Sequence, residues 1–281
     1  MWSDGGVSGD ESTESAELAG VAERVARAAG ELVLAAHRQR LDGGGLAVDT
    51  KSTITDVVTA VDRDSELLIR ARLADLRPGD PVLGEEQGAD GEVEPGQVVW
   101  VVDPIDGTVN FVYGLPAFAV SVGAQVDGVS VAGAVFEPVS GRCWTAARGG
   151  GAWLDGRRLR VSSADRLELS LLATGFAYDR ARRQRQAQLI GGVLGRVRDI
   201  RRAGSAALDL CAVAAGWVDA SFEHGLSRWD WAAGAIIAAE AGATVIVPGE
   251  DPQLGDGTLA ATPGIAAALR ELLVEVGAAD I

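Results

Sequence analysis

Residues Val98–Phe111 read VVWVVDPIDGTVNF, an apolar run followed at once by two aspartates and an Asp-Gly-Thr turn. The first five residues are β-branched or aromatic, which predicts a buried strand. Asp103 and Asp106 stand three residues apart at the strand end, where their carboxylates can converge on one point. Gly107 removes a side chain where a ligand could approach the backbone. If Thr108 opens a short helix, the first amides point at an anion site; the alternative is an ordinary Asp-Gly turn at a sheet edge.

Further acidic residues stand in similar places. Gly84-Glu85-Glu86 follows the short apolar run Pro81–Leu83, and Trp229-Asp230-Trp231 precedes a helical pattern. Taken singly, the glutamates read as a solvated pair and Asp230 as a helix N-cap. Taken together, these acids supply carboxylates without histidine or cysteine partners, which suits Mg²⁺, Mn²⁺ or Ca²⁺. A divalent cation would let such carboxylates share a site with phosphate, and it would activate water.

The chain length of 281 residues predicts one large domain or two moderate ones. We expect a disordered acidic tail over residues 1–15, an antiparallel-sheet α+β subdomain over 16–161 and an α/β subdomain over 162–281. Asp127-Gly128 and Asp155-Gly156 are strong two-residue hairpin signals in the first of these. Helical patterns are predicted at about 16–41, 61–76, 205–218, 231–242 and 263–276, and strands at about 98–102, 117–126, 129–136, 243–247 and 258–262.

Composition excludes several classes of function. Forty acidic against 25 basic residues give a formal charge of −15, which disfavours binding to nucleic acid or anionic membranes. Two cysteines cannot form a disulfide framework, two histidines make a multi-histidine metal site improbable, and no apolar run reaches the ~18 residues of a membrane span. These features predict a cytoplasmic protein. Lys51 is the one lysine beside 24 arginines, which singles it out.

Four segments, in order, carry a resemblance to a known family. Asp103–Phe111 (DPIDGTVNF) and Trp229–Gly242 (WDWAAGAIIAAEAG) resemble the two signature motifs of the inositol monophosphatase family. Gly84-Glu85-Glu86 looks like that family's metal-binding GEE, and Arg202–Asp219 (RAGSAALDLCAVAAGWVD) is similar to the family pattern at its place. The match extends from about Leu46 to Thr262 and looks closest to bacterial members.

The resemblance implies roles for the matching positions. Two to three Mg²⁺ ions per site are implied: a first held by Glu85, Asp103 and the carbonyl of Ile105, a second by Asp103, Asp106 and Asp230, and a third, weaker one again through Glu85. Thr108, hydrogen-bonded to Asp62, would orient the attacking water, with Lys51 nearby. The remaining implied contacts are to phosphate, through the amides of Gly107 and Thr108, and to substrate hydroxyls, through Glu223 and the backbone around Gly204, Ser205 and Ala206.

The resemblance also implies a fold and an activity. The fold is a five-layer αβαβα sandwich of the sugar-phosphatase type, of mixed α+β and α/β class, and the usual assembly is a homodimer. The activity is Mg²⁺-dependent, lithium-sensitive hydrolysis of a small phosphorylated polyol, with myo-inositol 1-phosphate as the leading substrate. The alternative substrates are fructose 1,6-bisphosphate, histidinol phosphate and 3′-phosphoadenosine 5′-phosphate.

A hypothesis of a different class is binding to RNA or the transcription machinery, a role that some bacterial relatives have. Residues Arg180–Arg202 contain eight arginines against one acid, Asp199. The simpler interpretation is a solvated arginine-rich helix face or a subunit contact, and the overall negative charge argues against broad RNA affinity.

Overall fold

The computed structural model describes residues 9–43, 48–50, 57–91 and 93–281. The helices are α1 (Gly9–Leu41), α2 (Ala60–Leu76), α3 (Thr108–Tyr113), α4 (Arg180–Leu194), α5 (Ala206–Ala214), α6 (Arg228–Glu240) and α7 (Pro263–Glu275). The strands are β1 (Val48–Thr50), β2 (Val57–Thr59), β3 (Val82–Gly84), β4 (Gly88–Ala89), β5 (Val98–Asp106), β6 (Ala119–Val126), β7 (Val129–Glu137), β8 (Arg142–Ala147), β9 (Gly151–Leu154), β10 (Arg157–Arg158), β11 (Leu171–Thr174), β12 (Asp199–Arg201), β13 (Ala220–His224), β14 (Thr244–Ile246) and β15 (Gly257–Ala261).

The elements stack in five alternating layers, as the resemblance implied. Helices α1 and α2 cover one face of an eight-stranded sheet, α5 and α6 lie between that sheet and a five-stranded one, and α4 and α7 cover the far side. Four apolar clusters fill the spaces between successive layers. The central helices α5 and α6 are rich in alanine, which lets a helix approach a sheet closely on both sides.

The two sheets differ in direction. The larger has the order β10-β9-β8-β7-β6-β5-β3-β4, and all of its pairs are antiparallel except β3 with β5. The smaller has the order β12-β11-β13-β15-β14 and is mixed, with parallel pairs around β11. Because α5 and α6 pack against both sheets, the division into two subdomains near residue 161 stays a prediction.

Both Asp-Gly signals form hairpin turns. Asp127 and Gly128 have φ of 50° and 80°, and Asp155 and Gly156 have φ of 47° and 78°. Positive φ at both central residues is the geometry whose twist matches paired antiparallel strands. The first turn joins β6 to β7 and the second joins β9 to β10.

Several boundaries differ from those expected, and α5 ends at Ala214 rather than at about residue 218. Helix α1 begins at Gly9, so residues 9–15 are helical rather than part of a disordered tail. Acids such as Glu11 and Glu14 favour a helix N-terminus, and Ser15 and Leu18 are already buried. Strand β5 extends to Asp106, beyond the apolar run. Helix α6 begins at Arg228 rather than at residue 231. None of the helices in the described part of the chain is long and apolar enough to cross a membrane.

Candidate active site

Three aspartates meet where the large sheet faces the central helices. Asp103 and Asp106 end β5 and are buried, while Asp230 comes from the first turn of α6 and is half-buried. One carboxylate oxygen from each lies within 4.8 Å of the others. The two sequence motifs thus converge on one point, although 124 positions separate Asp106 from Asp230.

A β-bulge brings the two aspartates of β5 to the same side. In a regular strand, residues three apart point to opposite faces. Here Asp103 pairs with Ser121 and Asp106 with Ala119, so three steps on β5 match two on β6. The extra residue corrects the alternation. The amide of Ile105 donates to Asp103 Oδ1 at 3.0 Å, which fixes that carboxylate within the bulge.

Asp106 is also held by the start of α5. Ser205, the N-cap of α5, donates its hydroxyl to Asp106 Oδ2 at 2.6 Å. The amide of Ala207 donates to the same oxygen at 2.7 Å, and the amide of Ala206 donates to Oδ1 at 3.3 Å. The N–H groups of a helix start favour a carboxylate. The Ala206 amide, part of the backbone expected near substrate, is therefore engaged with Asp106, as is the Ser205 hydroxyl.

Asp230 occupies a different position in its helix from the one expected. The N-cap of α6 is Ser227, and Asp230 is the third helical residue, which completes a capping box by accepting the Ser227 amide at 2.6 Å. The prediction of Asp230 as the N-cap was therefore wrong by three residues. Its side chain still reaches the carboxylate cluster, because capping uses Oδ2 and leaves the other carboxylate oxygen available.

The electrostatics of the cluster call for a cation. Burial, followed by the charges of Glu85, Asp106 and Asp230, raises the pKa of Asp103 well above its ordinary value. Burial and the carboxylates of Asp106 and Glu85 do the same to the pKa of Asp230. Burial also raises the pKa of Asp106, although the donors on α5 oppose the shift. An all-oxygen donor set with this excess of negative charge fits a hard divalent cation such as Mg²⁺.

Glu85 lies beside this cluster in the turn between β3 and β4. Its carboxyl hydrogen-bonds to Asp103 and contributes to the raised pKa of that group. The structure thus brings Glu85, Asp103, Asp106 and Asp230 together. Lys51, the other residue expected here, lies outside the described residues.

Thr108 and Asp62 form the pair that the resemblance implied. Thr108 Oγ1 lies 3.0 Å from Asp62 Oδ1 and 2.9 Å from the carbonyl oxygen of Ile105. Asp62 Oδ2 accepts the Thr59 amide at 2.8 Å as part of the capping box of α2. Asp62 therefore both completes the capping box of α2 and bonds to Thr108, with one oxygen for each contact.

Gly107 makes the transition from β5 to α3 possible. Its φ is +94°, and a Cβ there would lie 3.1 Å from the carbonyl oxygens of Ala117 and Gly204. Only glycine adopts this conformation without strain. Thr108 begins α3 as expected, and the first amides of a helix have no acceptor within it.

A cavity of about 240 Å³ opens beside the cluster. The expected site residues along its wall are Asp106, Gly107, Gly204, Ser205, Ala206, Glu223 and Asp230. The Glu223 carboxylate packs against Gly175, where a Cβ would lie only 2.1 Å from Oε1. Burial, followed by the charge of Asp106, raises the pKa of Glu223 to about 7.

Sequence reasoning missed two groups near the site. Asp209 on α5 lines the same cavity, and burial and the carboxylate of Glu223 raise its pKa well above the ordinary value. Ser65 and Glu66 on α2 are fully buried and lie on one face with Asp62. The spacing of Asp62, Ser65 and Glu66, at i, i+3 and i+4, could have found the second group, because polar residues rarely repeat along the buried stripe of a helix.

Comparisons with known proteins agree with the motifs. The sequence profile described as the inositol monophosphatase family matches residues 14–279. An inositol-1-monophosphatase of Mycobacterium leprae is 57% identical over 235 residues, 80% of this chain and 81% of that protein. The solved structure of Mycobacterium tuberculosis SuhB superimposes with a TM-score of 0.80 at 46% identity, covering 94% of this chain and 98% of that one. A Nus factor SuhB of Pseudomonas aeruginosa is 44% identical over 233 residues, 80% of this chain and 83% of that protein.

Proposed function

Because this chain belongs to the inositol monophosphatase family and is a phosphatase of that family, we propose that it hydrolyses myo-inositol 1-phosphate to inositol and phosphate with Mg²⁺. The observation that carries this proposal is the convergence of three aspartates within 4.8 Å, two of which, Asp106 and Asp230, line a polar cavity. Two relatives at 51% and 57% identity are named inositol-1-monophosphatases.

The proposed metal ligands follow from the cluster. Glu85, Asp103 and the carbonyl of Ile105 would hold one Mg²⁺, and Asp103, Asp106 and Asp230 a second. A third, weaker ion would again use Glu85. When bound, such ions stabilise charge on the phosphate oxygens and make water a better nucleophile. The raised pKa values of Asp103 and Asp230 support the assignment, since a cation would compensate for the burial of their charge and for the repulsion between the carboxylates, which together raise them.

The protein groups would supply orientation and proton acceptance. With its hydroxyl donating to Asp62 Oδ1 at 3.0 Å, Thr108 would turn its oxygen lone pairs towards the attacking water and accept a proton from it, while the hydroxyl proton of Thr108 passes to Asp62. The amides of Gly107 and Thr108 would bind the phosphate oxygens. We place Lys51 among the groups that assist the water.

The far wall of the cavity would bind the polyol. Glu223 would accept hydrogen bonds from substrate hydroxyls, and its raised pKa means that this capacity depends on pH near neutrality. Gly204 and its neighbours would contribute carbonyl oxygens, because the Ala206 amide already donates to Asp106. A cavity of about 240 Å³ suits a small phosphorylated polyol.

The test is phosphate release with Mg²⁺ from myo-inositol 1-phosphate, fructose 1,6-bisphosphate, histidinol phosphate and 3′-phosphoadenosine 5′-phosphate. Asp103→Asn is compared with Asp219→Asn, a carboxylate-to-amide change at the opposite end of β13 from Glu223. We expect release from inositol 1-phosphate that Asp103→Asn lowers by at least 100-fold and Asp219→Asn leaves nearly unchanged. Preference for another substrate would replace the proposed one, and full activity of Asp103→Asn would refute the metal assignment.

Three further properties belong to this proposal: a homodimer, a cytoplasmic location and inhibition by lithium. Each rests on the family resemblance or on the composition. Sedimentation of the purified protein tests the first, fractionation of the source cells the second, and a Li⁺ titration of the phosphatase assay the third. A monomer, a membrane or secreted pool, or full activity at tens of millimolar Li⁺ would remove the corresponding property.

A second candidate function is binding to RNA or the transcription machinery, because a relative at 44% identity is named a Nus factor. Six of the eight arginines in Arg180–Arg202 contact acids or carbonyls of the fold. They are Arg182, Arg183, Arg185, Arg196, Arg198 and Arg201. These contacts favour a structural use of the stretch. Salt-sensitive RNA retention that Arg180→Glu with Arg183→Glu abolishes would favour the second function; absence of retention would remove it.

A further inference from the structure

One face of α2 connects the acidic motifs of the large sheet. Asp62, Ser65 and Glu66 are each fully buried. Asp62 bonds to Thr108, and the Ser65 hydroxyl donates to the carbonyl of Pro104 at 3.1 Å. Glu66 reaches the turn that carries Glu85. Little more than one helical turn therefore contacts both segments from which the candidate ligands of the large sheet come, the end of β5 and the Glu85 turn.

Glu66 binds the backbone of the Glu85 turn directly. Its Oε2 accepts the amide of Glu86 at 2.7 Å, and its Oε1 accepts the amide of Gln87 at 3.1 Å. Gly84 permits this approach, because a Cβ there would lie 2.3 Å from Glu66 Oε1. The absence of a side chain at Gly84 thus lets Glu66 of α2 bind the turn.

Arg70, one helical turn further on, completes the contact. Its Nε and Nη2 lie 2.9 Å and 2.8 Å from Glu66 Oε1. The same guanidinium donates to the carbonyl of Val82 on β3 at 3.3 Å and to that of Gly88 on β4 at 2.7 Å. Because the N–H donors of the guanidinium lie in one plane, Arg70 can contact both strands of the hairpin while it neutralises the charge of Glu66.

We propose that Glu66, braced by Arg70, is a positioning residue that holds the Glu85 carboxyl against Asp103 for metal binding. The inference rests on the proposed metal-dependent function, since Glu85 acts there as a ligand. A fully buried carboxylate is costly unless its partners repay the desolvation. Its partners here are two amides of the Glu85 turn and one arginine that grips the same hairpin. The contacts that compensate for burying the charge of Glu66 are therefore also the contacts that fix the Glu85 turn.

A neutral isostere separates positioning from packing. In Glu66→Gln the side-chain volume is kept, but one carboxylate oxygen becomes an NH₂ group that cannot accept from a backbone amide. The turn should loosen while the core stays filled. Outer partners of metal ligands typically change metal affinity by about 10–100-fold, and we expect a weakening of Mg²⁺ binding in this range.

The experiment is a calorimetric titration of the full chain with Mg²⁺ alone, repeated with Mn²⁺ by electron paramagnetic resonance. The variants are Glu66→Gln, Arg70→Lys and Glu85→Gln. Asp219→Asn is the matched control, because Asp219 also accepts a backbone amide, that of Leu171 at 2.7 Å, but far from the cluster. Urea unfolding without metal measures stability, and Arg70→Lys decides the matter if Glu66→Gln does not fold.

The expected result is weaker metal binding in Glu66→Gln, a smaller weakening in Arg70→Lys and little change in Asp219→Asn. At saturating Mg²⁺, kcat of Glu66→Gln should return to within a few-fold of the unmodified protein. Unchanged Mg²⁺ affinity in Glu66→Gln and Arg70→Lys, with weakening in Glu85→Gln, would overturn this inference alone. Equal weakening in Asp219→Asn would also overturn it, and unchanged affinity in Glu85→Gln would instead overturn the proposed ligand set.

Discussion

Asp103→Asn should make the metal-free protein more stable while it removes metal binding. Asp103 is 2% exposed, and its carboxylate lies within 4.8 Å of those of Asp106 and Asp230. The substitution keeps an oxygen that can accept the Ile105 amide, as Oδ1 does now. It replaces the other oxygen with an NH₂ group that can donate to the neighbouring carboxylates. The loss of function and the gain in stability therefore have one cause.

The size of the gain follows from the separations. Two full charges 4.8 Å apart repel by about 3.5 kcal/mol at an effective dielectric constant near 20. Burial first, and then this repulsion, raise the pKa of Asp103, so the cluster relieves part of the repulsion by retaining protons. We therefore expect the free energy of unfolding to rise by about 1–3 kcal/mol. For a protein of this size that corresponds to roughly 2–10 °C in Tm.

The advantage of Asp103→Asn should depend on pH in a defined direction. A carboxyl whose pKa is raised on folding binds more protons in the folded state, so its contribution to stability falls as pH rises above its ordinary value of 3.8. Below that pH the carboxyl is protonated in both states, and the variant should have no advantage. The difference in stability between the two proteins should widen as pH increases from 4 towards neutrality.

The assay is thermal and urea unfolding of both proteins in EDTA and in excess Mg²⁺. At 100 times the dissociation constant, Mg²⁺ should add about 2.7 kcal/mol to the unmodified protein and much less to the variant. The order of stability should therefore reverse between the two conditions. A variant that is less stable in EDTA, or that gains as much from Mg²⁺ as the unmodified protein, would refute the reasoning. Asp219→Asn should show no such reversal.

Three other substitutions test separate parts of the site. Thr108→Ala removes the hydroxyl beside Asp62 and should lower kcat by about 10²–10⁴-fold with little change in Mg²⁺ affinity; a kcat within twofold would contradict its role. Glu223→Gln removes a group with a pKa of about 7. In the unmodified protein KM for inositol 1-phosphate should fall as pH rises through neutrality, and in the variant this fall should be absent. Identical pH profiles would exclude Glu223 from substrate binding. Gly133→Ala places a Cβ 2.8 Å from the Cα of Ala233 and should lower the free energy of unfolding in urea by about 1–3 kcal/mol. Gly128→Ala is its control. Gly128 has positive φ but open space around it, so this variant shows the effect of backbone strain without the clash.

Local chemistry predicted the elements whose geometry is set within a few residues. Asp127-Gly128 specifies a turn through its own backbone preferences, and the repeat of Leu18, Val21 and Val25 gave α1 its buried face. The carboxylates of the candidate site could be predicted from the sequence, because a group of carboxylates without histidine or cysteine partners suits few functions other than binding a hard cation. The resemblance supplied their order and their proposed roles, and the five-layer fold followed from it.

Features that depend on tertiary contact were not predictable in this way. The bulge that aligns Asp103 with Asp106 is a mismatch between two strands, and no single strand encodes it. Ser205 and the first amides of α5 hydrogen-bond to Asp106, and 99 positions separate Ser205 from Asp106 in the sequence. The spacing of Glu66 with Asp62 and Ser65 marks a polar helix face but does not identify the partners of Glu66, which lie in a turn about 20 positions away.

The position of Asp230 depends on small residues where α6 packs on the large sheet. Gly123 on β6 and Gly133 on β7 pair across the sheet. A Cβ on Gly123 would lie 3.0 Å from that of Ala232, and one on Gly133 would lie 2.8 Å from the Cα of Ala233. These glycines therefore set how closely α6 approaches the sheet, and Asp230 stands less than one turn before the contact. Since the carboxylates repel one another without a cation, this packing, together with the capping contact to Ser227, keeps Asp230 within reach of β5. The apolar contact between layers thus supports the proposed metal site, and Gly133→Ala should weaken Mg²⁺ binding as well as the fold.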